Sequence, residues 1–177
     1  GTHPYISTGL KENKFGIPTN LALEVYRKAA AMPGIEIEGI DFHIGSQLTS
    51  VEPFLDAIDR LLLMVDQLAE EGISLKHFDM GGGLGVTYGE EEPPHPSELI
   101  AVVKEKFAGR DMAILVEPGR SIAANAGIFI TRVEYLKNNE HKNFAIVDGA
   151  MNDLLRPALY GAWQEIISAE KTEGPTA

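Results

Sequence analysis

"HFDMGGGLGVTY", His77 to Tyr88, is the stretch on which the fold turns. A short apolar run ends abruptly in Gly81, Gly82 and Gly83, and Gly85 follows after one residue. Glycine permits positive φ and lets another group touch the backbone. Two readings stand side by side. One is a tight turn from a strand into a helix. The other is a seat for an anion, because successive N–H groups in such a turn form a nest. The nucleotide fingerprints fail: G-x-G-x-x-G would need glycine at Val86 counting from Gly81, or at Tyr88 counting from Gly83, and there is no GK[ST]. A phosphate seated here is not that of a dinucleotide or a nucleoside triphosphate.

Outward from the glycines, helical and strand-like segments alternate. "TNLALEVYRKAAAMPG" predicts a helix capped by Thr19 or Asn20 and stopped at Pro33-Gly34. "IEIEGIDFHIGS" alternates Ile35, Ile37, Ile40 and Phe42 with polar residues and predicts a strand, or two short ones broken at Gly39. "SVEPFLDAIDRLLLMVDQLAEEG" is the strongest helix. Ser50 is its candidate cap, Pro53 lies in the first turn, and Phe54, Leu55, Ile58, Leu61, Leu62, Val65 and Leu68 make one apolar face. "EEEPPHP" predicts a loop, "PSELIAVVKEKFAG" a helix, and "MAILVEPGRS" a short buried strand ending at Glu117. "GIFITRVEYLK" and "NFAIVDGAM" then read as strands with no helix between them. The order predicts βα units of a parallel sheet followed by a mostly antiparallel region. A complete (β/α)₈ barrel takes about 250 residues, so this length allows either an open Rossmann-like sheet or a slice of a barrel. The ends, "GTHPYISTGL" and "SAEKTEGPTA", favour the slice.

Composition narrows the function. The chain has 177 residues, 44% hydrophobic and 23% charged, with a formal charge of -11 and no cysteine. That balance suits one soluble domain. Nucleic-acid binding needs clustered Lys and Arg, and no cluster is present. There are no thiolate metal sites and no thiol nucleophile. No transmembrane span or signal peptide is visible, so a cytoplasmic enzyme is the expectation. His3, His43, His77, His95 and His141 show no metal-ligand spacing, so no metal is expected.

Chemistry collects just after the apolar strands, in "HIGSQ", "DMGGG" and "EPGRS". In parallel α/β folds function sits at the carboxyl ends of strands. Glu117 at a strand end needs a partner. That partner is Arg120 in an ion pair, or the cationic ring nitrogen of a cofactor, which leaves Arg120 for an oxyanion. Pyridoxal phosphate asks for such a set: a phosphate nest, a carboxylate at the pyridine nitrogen and a lysine. His43 is a candidate ring-stacker or a hydrogen-bonded structural histidine. Ser46 is a candidate phosphate donor. Arg156 and Tyr160 stand four apart in "MNDLLRPALYGAW", but Pro157 makes a regular helix doubtful and a surface turn the simpler reading.

Taken in order, "ISTGLKENKFGI", "HIGSQ", "FDMGGGLGVTY", "EPGRSIAANAG" and "VDGAMNDLLRPALYGAW" resemble the fold-type III, pyridoxal-phosphate-dependent decarboxylases, most of all their diaminopimelate-acting branch, from Ile6 to Trp163. The resemblance implies an alanine racemase-like fold. It would be the later part of a (β/α)₈ TIM-type barrel, residues 1–125, running into the start of a β-domain, residues 126–177. It implies pyridoxal 5'-phosphate held by His43, Ser46, Gly81, Gly82, Gly83, Glu117, Pro118, Gly119 and Arg120. A small amino-acid substrate would be held by Arg120, Arg156 and Tyr160. The implied reaction is decarboxylation of meso-diaminopimelate to L-lysine. A basic amino-acid decarboxylase of ornithine or arginine type and a non-catalytic cofactor-binding barrel are the alternatives. The family's Schiff-base lysine and its cysteine motif have no counterpart here. The resemblance therefore implies catalytic residues outside this chain, a homodimeric parent enzyme and an inactive isolated chain. Glu117, where the related racemases have an arginine, favours decarboxylation over racemisation.

Overall fold

The computed structural model describes residues 15–170. His3 and most of "ISTGLKENKFGI", including Lys14, lie outside the described residues. Two compact units are present. One takes in the described residues up to Thr87 together with Glu91–Ala124, and the other takes in Tyr88–Glu90 and the described residues from Asn125 onward.

The first unit is a run of helix–strand pairs: α1 (Thr19–Ala30), β1 (Gly39–Asp41), α2 (Glu52–Glu70), β2 (His77–Asp79), α3 (Pro96–Lys106), β3 (Ala113–Leu115) and the single turn α4 (Arg120–Ala123). The strands are parallel in the order β1-β2-β3, with Ile40 beside Phe78 and Phe78 beside Ile114. Sequential neighbours joined by crossovers of one hand put every helix on one face of the sheet. Side chains agree. Ile40, Phe78 and Met80 are buried toward the helices, while Asp41, Ala113 and Leu115 are exposed on the opposite face. An open doubly wound sheet carries helices on both faces. Singly wound βα units curl into a barrel instead, and the first unit is part of a (β/α)₈ barrel.

Its core is the seam between the sheet and α2 and α3. Phe54, Ile58, Leu62, Met64, Val65 and Leu68 of α2 are buried, as are Leu99 and Val103 of α3. Phe78 is fully enclosed, its ring edge-on to Phe42 at 5.8 Å and to Phe107 at 4.9 Å. Such pairs add to the area term. Ion pairs stitch the outer helix layer: Arg27 to Glu71 between α1 and the end of α2, Asp59 to Lys106 between α2 and α3, and Asp66 to Arg110 just beyond α3. These are exposed and contribute little each.

Several local expectations are corrected. Pro18, not Thr19 or Asn20, precedes the first turn of α1, and no side chain caps it. Ser50 does not cap α2 either. It hydrogen-bonds the Glu52 side chain and, after that carboxylate's own backbone bond, holds the group below its ordinary range. Gly39 begins β1 rather than breaking it, because a Cβ there would lie 2.7 Å from the His77 carbonyl oxygen. β3 is not buried: Leu115 and Val116 are 44% and 45% exposed. It has β2 on one side and no strand on the other among the described residues. The cap of α3 is His95, the next-to-last residue of the "EEEPPHP" loop. Its ring accepts from Ser97 N while Glu98 accepts from His95 N.

In the second unit β4 (Val133–Lys137) and β5 (Phe144–Val147) form an antiparallel pair with a bulge between Val133 and Tyr135. Asp148 ties its end by accepting from Thr131 Oγ1 and Arg132 N, bonds that hold this carboxyl below its ordinary range. The last element is the short helix α5 (Arg156–Tyr160). Pro157 starts it instead of preventing it, since a first-turn proline lacks only an N–H that the helix does not use.

Large apolar side chains stand in solvent on both units, Ile122 at 67% and Ile166 at 91% exposed among them. Exposed apolar surface on this scale drives association. The 177-residue polypeptide prepared alone is expected to self-associate, as read by sedimentation velocity. A monomer with a cooperative melt would contradict this.

Candidate functional site

The three motifs at the strand ends are joined by main-chain hydrogen bonds that run past the regular strands. On the β1 side, Phe42 N donates to Asp79 O at 3.2 Å. The chain then leaves the sheet over His43–Gln47 and returns at Leu48, whose N–H donates to Gly83 O at 2.9 Å while Gly85 N donates to Leu48 O at 2.8 Å. On the β3 side, Met80 N donates to Leu115 O at 3.1 Å and Glu117 N to Gly81 O at 2.9 Å. "HIGSQ" is thus a short excursion pinned at both ends to the glycine strand, and "EPGR" is laced to its other edge.

This explains the glycines. A Cβ on Gly81 would run into the carbonyl oxygen of Phe42, one on Gly82 into that of Glu117, and one on Gly83 into that of Gly45. Gly81 and Gly83 also have φ of +66° and +101°. The bare backbone is required by close approach of the two neighbouring strand ends. The N–H groups are not an open nest of three. Gly81 N donates to Asp79 Oδ1 at 2.9 Å, and Gly82 N makes a long 3.4 Å bond to His43 Nδ1. Neither bond reaches Gly83 N.

His43 and Glu117 flank the Gly81–Gly82 backbone from the two neighbouring strands. A Cβ on Gly81 would lie 3.2 Å from His43 Nδ1, and one on Gly82 3.8 Å from the Glu117 Cβ. Both residues are exposed, and Ser46 is half-buried. The ion pair between Glu117 and Arg120 is not formed; Arg120 Nη1 donates to Gln47 Oε1 at 2.8 Å. Among the described residues Glu117 makes no salt bridge. Gly119 precedes α4, and Pro118 faces a neighbouring pocket. That pocket, about 280 Å³, is lined by apolar side chains such as Phe54, Leu99 and Ile122 on the helix face, and His43, Ser46 and Glu117 are absent from its walls. It shares the glycines and Pro118 with the strand-end motifs and lacks charges to hold a phosphate or a ring nitrogen. Arg156 and Tyr160 belong to the second unit. There the Arg156 guanidinium lies 5.2 Å from the Tyr160 ring centroid, and Arg156 Nε is buried without a hydrogen-bond partner. Among the described residues no group of side chains is arranged for a metal ion.

The donor set suits pyridoxal phosphate. The His43 ring reaches Gly82 N on one side of the glycine strand, Ser46 follows in the same loop, and Glu117, with no salt bridge among the described residues, flanks the other side. A family model described as "Pyridoxal-dependent decarboxylase, pyridoxal binding domain" matches residues 1–124. The chain belongs to the pyridoxal-dependent decarboxylases. The cofactor of this family is pyridoxal phosphate, and the chain carries its pyridoxal-binding part. Among known relatives, a diaminopimelate decarboxylase of Pseudomonas fluorescens is 61% identical over 94% of this chain. The crystal structure of diaminopimelate decarboxylase from Helicobacter pylori complexed with L-lysine superposes with a TM-score of 0.90, at 45% identity, over 97% of this chain and 43% of that one. A lysine/ornithine decarboxylase from Vibrio vulnificus complexed with cadaverine matches less well, with a TM-score of 0.77 and 26% identity over 88% of this chain and 43% of that one. The chain spans about 40% of the length of the curated relatives it matches.

Sequence reasoning missed two contributors. Asp79 turns the Gly81 N–H, and its position two residues before that glycine was the available signal. Gln47 is the other, since nothing in a glutamine's type announces the three bonds its side chain makes.

Two outcomes test this geometry. Gly82→Ala should cost about 1–3 kcal/mol by overpacking, although Gly82 has no positive φ. Gly119→Ala, with open space and an ordinary φ of -91°, should leave the unfolding midpoint unchanged. Equal effects of the two in a thermal melt would contradict close approach as the cause. Second, burial and then the neighbouring Asp79 charge raise the Asp41 carboxyl above its usual range, with His43 acting the other way. Between the ordinary and the raised value the folded state binds more protons than the unfolded chain, so stability falls as pH rises through that window. Asp41→Asn should therefore raise the midpoint at neutral pH. The gain should vanish as pH falls below the ordinary aspartate value of about 3.9.

Proposed function

We propose that the whole protein to which this chain belongs decarboxylates meso-diaminopimelate to L-lysine and CO₂. The observation that carries the reading is Glu117, a carboxylate that makes no salt bridge among the described residues, at the end of β3 and across the glycine strand from the His43 ring. When bound, pyridoxal phosphate supplies an electron sink for the charge left at Cα after CO₂ departs. The residues of this chain make that sink usable. Glu117 holds a proton at the ring nitrogen, because an adjacent carboxylate favours the protonated form. The His43 imidazole covers one face of the ring and excludes water there. Ser46 and the Gly83 N–H donate to the phosphate and fix the register of the ring, with Gly81 and Gly82 shaping the strand beneath it. Arg120, with Pro118 and Gly119 setting its turn, faces the cofactor and the substrate.

Arg156 and Tyr160 are proposed to hold the distal end of the substrate. An arginine whose Nε is buried without a partner suits a carboxylate, which takes a guanidinium in paired bonds. A second carboxylate is what separates diaminopimelate from ornithine and arginine. The relatives named for diaminopimelate also exceed the lysine/ornithine enzyme in identity, 45% against 26% among the structures described above. A cytoplasmic homodimer completes the reading. The exposed apolar side chains support the association.

The test is CO₂ release by the full-length protein from meso-diaminopimelate, with ornithine and arginine alongside. Glu117→Gln should lower kcat about 10²-fold, the usual size for removing one preorganised electrostatic contact, while cofactor affinity changes little. Activity on ornithine or arginine alone would move the protein to the sister branch. Cofactor binding without turnover of any amino acid would make it a carrier.

A further inference from the structure

Gln47 is the one described residue other than glycine with positive φ, at +60°. A side chain in the left-handed region is disfavoured by contact between Cβ and the backbone. Glycine would adopt that conformation freely, so something about the glutamine side chain holds the position. That side chain makes three hydrogen bonds. Its Nε2 donates to Val86 O at 2.5 Å, and its Oε1 accepts from Val86 N at 3.2 Å and from Arg120 Nη1 at 2.8 Å. The amide thus imitates a main-chain partner for Val86. It adds a side-chain tie to the main chain of Val86 just beyond the isolated Leu48–Leu84 bridge. Its orientation is over-determined, because a flipped amide would aim N–H at both the Val86 N–H and the guanidinium.

These bonds join the loops that follow all three strands. Gln47 adjoins Ser46 after β1, Val86 closes the glycine stretch after β2, and Arg120 opens α4 after β3. No other side chain described above touches all three. We infer that Gln47 is a positioning residue: its carboxamide clamps Val86 and aims the Arg120 guanidinium, and so sets the distance between the phosphate-binding backbone and the cation facing the cofactor. The inference rests on the proposed use of this site for pyridoxal phosphate.

The experiment compares the full-length protein with Gln47→Gly and Gln47→Glu. Three readouts are taken: the dissociation constant of pyridoxal phosphate by fluorescence titration, amide hydrogen exchange at Val86, and the unfolding midpoint. Gln47→Gly relieves the backbone and deletes the clamp. It should bind the cofactor about tenfold more weakly, the equivalent of one hydrogen bond to a charged group. Val86 exchange should be faster and the midpoint no lower. Gln47→Glu keeps the acceptor for Arg120 and Val86 N and loses only the donor. It should stay within about threefold of wild-type affinity, below the cost of a full bond. Wild-type affinity in Gln47→Gly, or a loss of affinity matched by a lowered midpoint, would overturn the positioning role. If the unsubstituted protein binds no pyridoxal phosphate, the proposed function fails. The Val86 arm then decides the clamp by itself: unchanged exchange in Gln47→Gly overturns it, and faster exchange supports it.

Discussion

Where β2 runs out, its backbone passes between the carbonyl of Phe42 on one side and that of Glu117 on the other, with no room for a Cβ on either flank. The rest of the first unit depends on that approach. It lets three strand ends lie closer than side chains would permit and brings "HIGSQ" and "EPGR" onto the two edges of one strip of bare backbone. Packing alone requires the glycines, and under the proposed function the same bare backbone would also serve the cofactor's phosphate. Close packing of this kind is unforgiving because interiors have little free volume to absorb an added methyl.

The barrel face carries the electrostatic character of the site. Asp41 and Asp79 are register partners on adjacent strands, and their mutual repulsion is part of what raises the Asp41 carboxyl. Asp79 spends one oxygen on the Gly81 N–H, which couples the charge beneath the site to the conformation of the glycines above it. Glu117, one strand over, makes no salt bridge among the described residues. Arg120 donates to the neutral amide of Gln47, and no ion pair joins it to Glu117.

Much of this was legible in the sequence, for identifiable reasons. The alternation of apolar runs with Gly-rich ends marked the βα units, and α2 was visible because Phe54, Ile58, Leu62, Val65 and Leu68 recur at helical spacing. The clustering of motifs at strand ends followed from the architecture. The barrel was legible only through the order of the motifs and the resemblance it carries, and not from any local stretch, since the choice against an open sheet depends on which face the helices cover, a property of pairing order. Caps were misread at Thr19 and Ser50, where several residues of suitable type compete and geometry selects. His95 escaped notice because histidine seldom caps. The αL backbone of Gln47 left no trace at all, as its compensation comes from Val86 and Arg120, 39 and 73 residues away.

The central claim is that the cofactor lies across the glycine strand, with its phosphate at Ser46 and Gly83 and its ring nitrogen at Glu117. The most direct measurement is a crystal structure of the full-length protein with pyridoxal phosphate bound. The account predicts the ring beneath His43, its nitrogen within hydrogen-bond distance of the Glu117 carboxylate, and the phosphate against Gly83. A phosphate seated elsewhere, or a ring nitrogen facing any group other than Glu117, would contradict it.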